Sequence, residues 1–451
     1  MIAGGSGAHS ALGTYRSVAR QSAQRPRSAT GARTGYALSY SLFLVGAFAS
    51  SLLVLRSGTV TVGDVATLAA IAAAFTTAVV RHEAVVDRGL LIIGLGTAIT
   101  AILASFAAVA PLESVLVGLR LIMLLALLPG AAALVLTSRT RIVGALLAFG
   151  LGSAATGAAG LAQLANPALV ISGSQVTAAS RLSGLTGHVS DQGGITAVGA
   201  IALVGVALSG KRWQRLLALP ALAATVAGLV ASGSVSGMFA AMFGTFVLVA
   251  LRALKLRYLV LSGMLVVPAL AYTLSLQAGA DGALNPIERV MLTLGLLDDP
   301  SGVGVSSSES RFDTYRTAIA GIADRGMLGH GLDTQSMIVD GVFPAHNLFI
   351  GSAYGGGLAL ALLIAWAVFR PFAGGWIWSQ HDRLVASLVA VGSTSIIFAM
   401  TAPSLYNRYL WIPLAIVWAG RQWISHWSSI ELPGKLRTPR HSISRRRQSQ
   451  L

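Results

Sequence analysis

The chain runs apolar for about 20 residues at a time, over and over, and a helix of that length crosses roughly 30 Å of hydrocarbon. Twelve such runs are read, at 36–55, 59–80, 89–110, 115–137, 142–165, 193–210, 214–232, 236–253, 258–277, 347–369, 384–403 and 407–424. Each is expected to be a helix, because an open strand in lipid leaves its backbone polar groups unpaired. Composition agrees: 54% of residues are hydrophobic and only 11% charged, with a mean hydropathy of +0.72. An ordinary soluble domain is about 25% charged. The fold class is therefore all-α, a polytopic membrane helical bundle of about 12 transmembrane helices. Residues 1–35 read as a cytoplasmic basic tail, 36–424 as the transmembrane domain, and 425–451 as a second cytoplasmic basic tail.

Net charge is +16 and the sequence pI about 11.2. On a soluble chain that balance would point to nucleic acid. Here it is sorted by side. Alternating the twelve runs puts 24 of the 32 Lys and Arg residues on the side of the N-terminus and 7 on the other, with Arg120 inside a run. The positive-inside bias then makes this a multi-pass plasma (inner) membrane protein with both termini cytoplasmic and no nucleic-acid partner. Residues 1–35 carry Arg16, Arg20, Arg25, Arg27 and Arg33 with no short apolar core, so no cleavable signal is read there. Cysteine is absent, which rules out a disulfide framework and thiol chemistry.

Nine of the sixteen acidic residues fall in one segment, 278–346, the only long loop between runs, and topology makes it extracytoplasmic. Two stretches in it read as amphipathic helices. "NPIERVMLTLGLL" begins with Asn285 as cap, Pro286 and Glu288. "SSSESRFDTYRTAIAGIADRG" begins with a Ser306–Glu309 capping box and spaces Phe312, Tyr315, Ile319 and Ile322 helically up to Gly326. A shorter outer loop, about 166–192, holds Arg181, His188 and Asp191.

Charges inside apolar runs are costly and mark a partner, a cavity or the interface. Asp64 and Arg120 each lie five residues in from the outer start of their runs, so they can pair, snorkel to the surface, or line a wet outward cavity. Arg181, Arg311 and Arg316 flank the structured loops, and guanidinium groups suit bidentate capture of phosphate. Each can equally sit in a solvated salt bridge with Glu309 or Asp313. His346–Asn347, in "GVFPAHNLFIGSAYGGG", stands where the loop re-enters an apolar run. The pair reads either as turn and cap chemistry or as a general base beside a polar partner. His330 lies between two glycines and reads as a turn residue. The Asp298–Asp299–Pro300 run reads as a turn rather than a metal site. No metal-binding or nucleotide-binding motif is present.

The order of "ESRFDTYRTAIAGIADRGMLGHGLDT" and "PAHNLFIGSAYGGGLALALL" resembles the signature of the O-antigen ligase / O-antigen polymerase superfamily. The matching positions are Arg311, Gly329 and Gly331, His346 and Asn347, and Gly357, and the earlier "RLSGLTGHVSDQGG" is similar to that superfamily's outer Arg-x-x-Gly loop at Arg181 and Gly184. The chain departs from the pattern at Gly355, at Ser190–Asp191 and in "SGSVSG" at 232–237. The resemblance implies a metal-independent, cofactor-free glycosyltransferase of the GT-C type. Such an enzyme moves a glycan from an undecaprenyl-pyrophosphate (polyprenyl) carrier to an acceptor hydroxyl on the outer face of the membrane. The acceptor is a glycan, a lipid or a protein. It further implies pyrophosphate binding by Arg181 and Arg311, with Arg316 or Arg120 contributing, and catalysis by His346 with Asn347 orienting it or the sugar. Two other readings stand: a polysaccharide polymerase of the same superfamily, and a transporter or flippase without chemistry. A transporter is expected to show inverted repeats and helices broken at the midplane, and neither is evident by eye.

Overall fold

The computed structural model describes residues 36–57, 60–83, 87–166, 168–171, 174, 181–257, 303–339, 341, 343–373, 379, 382–402 and 405–431. The run at 258–277, the helix expected after Asn285, the Asp298–Asp299–Pro300 turn and most of both basic tails lie outside these residues.

A polytopic helical bundle is what the described residues form. In chain order the helices are α1 (Ala37–Ala49), α2 (Val62–Val80), α3 (Arg88–Ser105), α4 (Pro111–Val135), α5 (Arg139–Ala165), α6 (Val189–Ser209), α7 (Arg212–Ala231) and α8 (Val235–Ala250). Then follow α9 (Val303–Arg325), α10 (Leu348–Phe369), α11 (Arg383–Ala399) and α12 (Arg408–Glu431). Eleven of the twelve expected runs thus fall on helices. Seven helices are long and apolar enough to cross a membrane, while α1, α8 and α11 are apolar but shorter. The sheet content among the described residues is one two-residue hairpin, β1 (Arg56–Ser57) with β2 (Val60–Thr61), which turns the chain from α1 into α2.

Helix ends explain themselves locally. Asp87, Ser138, Ser234, Asn347 and Asp382 each cap the helix that follows through a side-chain oxygen. Small residues let helices touch backbone to backbone: a Cβ on Gly228 of α7 would overlap Gly157 of α5. Inside α4 the turn Met123–Leu127 is a π-helix. Pro129 follows it, and a proline there has no N–H for Leu125 O, so the ladder widens by one residue immediately after Arg120.

Three expectations are corrected. First, α9 begins at Val303, so Ser306 lies within the helix and not at its cap. Second, its expected apolar stripe is split: Ala318 and Thr314 are buried while Phe312 and Ile319 face outward. Third, the 347–369 run is not one rod. Gly357 has φ +79° and ψ 169°, a region reserved for glycine. In a straight helix Phe349 and Phe369 would stand about 30 Å apart. Their rings are instead stacked at 6.0 Å, so α10, one of the seven by length and composition, folds back on itself at Gly357, and neither arm is long enough to cross a bilayer alone.

The break is closed by the loop. His330 and Gly331 donate their backbone N–H to Tyr354 O and Gly355 O, both at 2.9 Å, and Leu358 N–H donates to Gly326 O at 2.8 Å. The carbonyls and amide that a broken helix would strand are thereby satisfied. Gly329 carries φ +70°, and a Cβ there would overlap the Gly355 carbonyl. That geometry is the physical reason for the GxG turn. His330 stacks on Tyr354 at 4.2 Å and its Nε2 meets Gly321 O at 3.1 Å, fastening α9 to α10.

Candidate functional site

The residues singled out in the sequence gather at one end of the bundle, here termed the loop end. Asn347 opens α10: its Oδ1 accepts from Phe349 N (2.9 Å) and Ile350 N (3.1 Å), and its Nδ2 donates to Met400 O at the end of α11 (3.1 Å). One side chain therefore fixes where the helix starts and which neighbour it leans on. His346 precedes it, half-buried, with the Tyr315 hydroxyl of α9 donating to its carbonyl at 2.8 Å. Phe343 packs edge-on to the imidazole at 6.3 Å.

His346 Nδ1 is shielded from solvent and has no hydrogen-bond partner among the described residues. Burial pushes its pKa below the ordinary imidazole value. The Arg311 guanidinium pushes the same way, the Pro344 carbonyl opposes it, and His188 lowers it slightly further. His346 is thus held as a neutral imidazole at pH 7, the form that can accept a proton. Arg311 also acts on the Tyr315 phenol, which burial raises and the guanidinium lowers. Arg311 and His188 thus lie within electrostatic reach of His346, although they belong to distant parts of the chain.

A second group sits beside them. Arg408, buried at the start of α12, bonds to Asp64 Oδ1, and Arg120 approaches the same oxygen at 3.8 Å. Asp64 Oδ2 meanwhile completes a capping box with Thr61 at the start of α2. The equal depth of Asp64 and Arg120 thus becomes an ion pair, while Arg408, expected on the surface, is in fact 6% exposed. Arg120 lies over the Tyr406 ring at 5.3 Å. Burial raises the Tyr406 phenol, Arg120 lowers it and Glu113 raises it. Tyr406 and Asn347 then line one pocket with Met337, Pro344, Ala345, Leu348, Gly351 and Leu405, about 360 Å³ counting its open mouth. The pocket joins the His346–Asn347 turn to the ring that carries Arg120.

Arg181 is placed by the loop before α6. Its Nε donates to Ser232 O at 3.0 Å. Gly184, with φ +54°, sits so tightly over Thr156 and Gln192 that a Cβ would overlap them. Gly184 N–H donates to Gln163 Oε1 (3.0 Å) and Leu185 N–H to Thr156 Oγ1 (2.7 Å), so buried polar side chains of α5 hold this loop down. His188 caps α6, its Nδ1 accepting from Ser190 N at 3.3 Å. Asp191 one turn on receives the Tyr409 hydroxyl at 2.7 Å. Arg316, by contrast, pairs with Asp313 at 3.5 Å on the exposed face of α9.

Sequence reasoning placed Tyr315 on the apolar face of a helix without its bond to His346, and passed over Tyr406 and the burial of Arg408. Tyr406 and Arg408 flank the start of an apolar run, and that position was their one available signal. Among the described residues no group of three or more His, Asp or Glu side chains is gathered that could hold a metal ion.

No curated protein matches the chain. Residues 220–365 match the sequence model of the family described as O-Antigen ligase. The matched stretch contains Arg311, the GxG turn, His346, Asn347 and Gly357, while Arg181 and Arg120 lie before it. The turn, the folded-back helix and the His–Asn pair are thus one connected unit inside the stretch that is similar to the O-antigen ligase family.

Proposed function

We propose that the chain transfers a glycan from a polyprenyl-pyrophosphate carrier to an acceptor hydroxyl at the loop end of the bundle, which faces outward with both termini in the cytoplasm. The observation that carries the reading is the pairing of a neutral, half-buried His346 with the Arg311 guanidinium beside it. One group takes a proton and the other meets negative charge.

In the reaction the acceptor oxygen attacks the anomeric carbon. The bond between that carbon and the pyrophosphate oxygen breaks, and the polyprenyl pyrophosphate leaves with the electron pair. His346 accepts the hydroxyl proton as the new glycosidic bond forms. Arg311 and Arg181 bind the pyrophosphate, and their charge matters most as negative charge develops on the leaving group. Arg120 supplies a further cation from the Tyr406 side of the pocket. Arg316, paired with Asp313 on the exposed face of α9, would reach the pyrophosphate only by giving up that pair. Asn347 is a positioning residue: by capping α10 and tying it to Met400 it fixes the backbone that carries His346.

The test is transfer by the purified protein in proteoliposomes supplied with a polyprenyl-pyrophosphate-linked oligosaccharide and an acceptor. His346→Ala should cut the rate by about 10²–10⁴-fold with membrane abundance unchanged. Arg311→Lys should also fail if bidentate capture is needed. Full activity in the His346 variant removes it from the chemistry.

A further inference from the structure

Around the start of α3 lies a cluster the reaction does not use. Asp87 caps α3, accepting from Gly89 N at 2.9 Å. Both its oxygens also receive Arg370 Nη2, at 3.2 and 3.1 Å, and Oδ2 takes Gln422 Nε2 at 3.2 Å. The carboxylate is therefore fully engaged. Arg370 lies over the Trp366 ring at 5.3 Å and the Trp418 ring at 5.5 Å, and it fills the space where Gly89 would carry a Cβ.

Two donors in this cluster are left over. Trp418 is 2% exposed, and its indole Nε1–H is buried with no acceptor among the described residues. The same holds for Nη1 of Arg421, three residues along α12 and so on the same face of the helix. Arg421 lies within electrostatic reach of both Arg370 and Asp87. One carboxylate thus serves two guanidinium groups, and a net positive charge stands beside two unsatisfied N–H groups. Buried donors are nearly always paired in native proteins. The acceptor that suits this set is an oxyanion with several oxygens, because it offers acceptors to an indole and a guanidinium at once.

We propose that Trp418 and Arg421, backed by Arg370, form a binding site for a phosphate group beside the start of α3, where α12 passes Asp87. The phosphate is that of an anionic phospholipid headgroup or a free phosphate ion. Either would neutralise the spare guanidinium and satisfy both donors. The site is independent of the transfer reaction, so its test reads binding and stability.

The purified full-length protein is compared with Trp418→Phe, which keeps most of the ring, and Arg421→Gln, which keeps length and loses charge. Thermal unfolding is followed in detergent with inorganic phosphate against chloride at equal ionic strength. A parallel series uses mixed micelles of phosphatidylglycerol against phosphatidylcholine, with native mass spectrometry counting retained lipids. The wild type should gain about 2–4 °C in one arm or both, and each variant should lose most of that gain while unfolding normally without additive. A shift with phosphate alone identifies a small-anion site; a shift confined to phosphatidylglycerol identifies a headgroup site. No shift in either arm, or an equal shift in wild type and both variants, overturns the proposal.

Discussion

Asp64 at the start of α2 and Asp87 at the start of α3, here termed the far end, each anchor an arginine, and the two clusters use their cations differently. At the loop end Asp64 takes a buried bond from Arg408 and a looser one, 3.8 Å, from Arg120, whose side chain is 30% exposed. Arg120 lies on a tyrosine that also lines a pocket. At the far end both oxygens of Asp87 take a bond from a single nitrogen of Arg370, which two indoles and a glycine pack tightly. The carboxylate anchors a guanidinium in both cases. At the loop end a second guanidinium is held near a cavity; at the far end the anchored one is packed between rings. A cation available for chemistry is therefore recognised by what surrounds it, and its having an acidic partner does not distinguish the two.

The sharpest way to break this comparison uses two glycines. Gly357→Ala places a Cβ on the Met327 carbonyl at a backbone angle other residues avoid, and it should cost about 4 kcal/mol or more, seen as loss of folded protein in detergent. Gly89→Ala meets only the flexible end of Arg370, so it should displace that side chain, lower the unfolding temperature modestly and leave transfer per folded molecule intact. Comparable damage from both would mean that the far end is as rigidly specified as the loop end.

Exchanging the two arginines gives the next largest effect. Arg370→Gln should destabilise by about 2 kcal/mol, the scale of a lost charged hydrogen bond, with specific activity preserved. Arg120→Gln should do the reverse, lowering transfer by about tenfold or more, equivalent to about 1.4 kcal/mol, with little change in unfolding. Asn347→Ala removes a cap and should cost about 1 kcal/mol. Asn347→Asp keeps the cap and loses only the donor to Met400, so a drop in transfer at unchanged stability would isolate the tie between α10 and α11.

The smallest effect is on pH. His346 is held below the ordinary imidazole pKa, so transfer should persist below about pH 6.5 and fall only as His346 protonates. His188 pushes the His346 pKa the same way, as the smallest of the named influences. His188→Gln should therefore raise the His346 pKa and move the acidic limb of the rate profile slightly to higher pH. A shift downward would contradict the electrostatics.

The bundle was legible because apolar length depends only on local composition, and the caps at Asn347 and Asp87 obey local rules too. The loop motifs could be found for the same reason, since Arg311, the GxG turn and His346 follow each other in order. What was hidden depends on contacts between distant segments. The three glycines at 355–357 permit a break, but they do not announce that Phe349 and Phe369 stack, because the reversal exists only with the 326–331 backbone in place. Arg408 looked like a surface cation, for its partner Asp64 lies 344 positions earlier. Tyr406 is an ordinary residue until Arg120 lies on its ring.

The folded-back helix carries a consequence for how the protein is made. The 22 residues of α10 are apolar enough to enter the bilayer as a plain span while the chain is being synthesised. Its reversal at Gly357 needs the backbone of the preceding loop, because Gly326, His330 and Gly331 satisfy the groups that the break exposes. The hairpin can therefore close only once that loop is folded against it, and His346 at its mouth reaches its final surroundings only then.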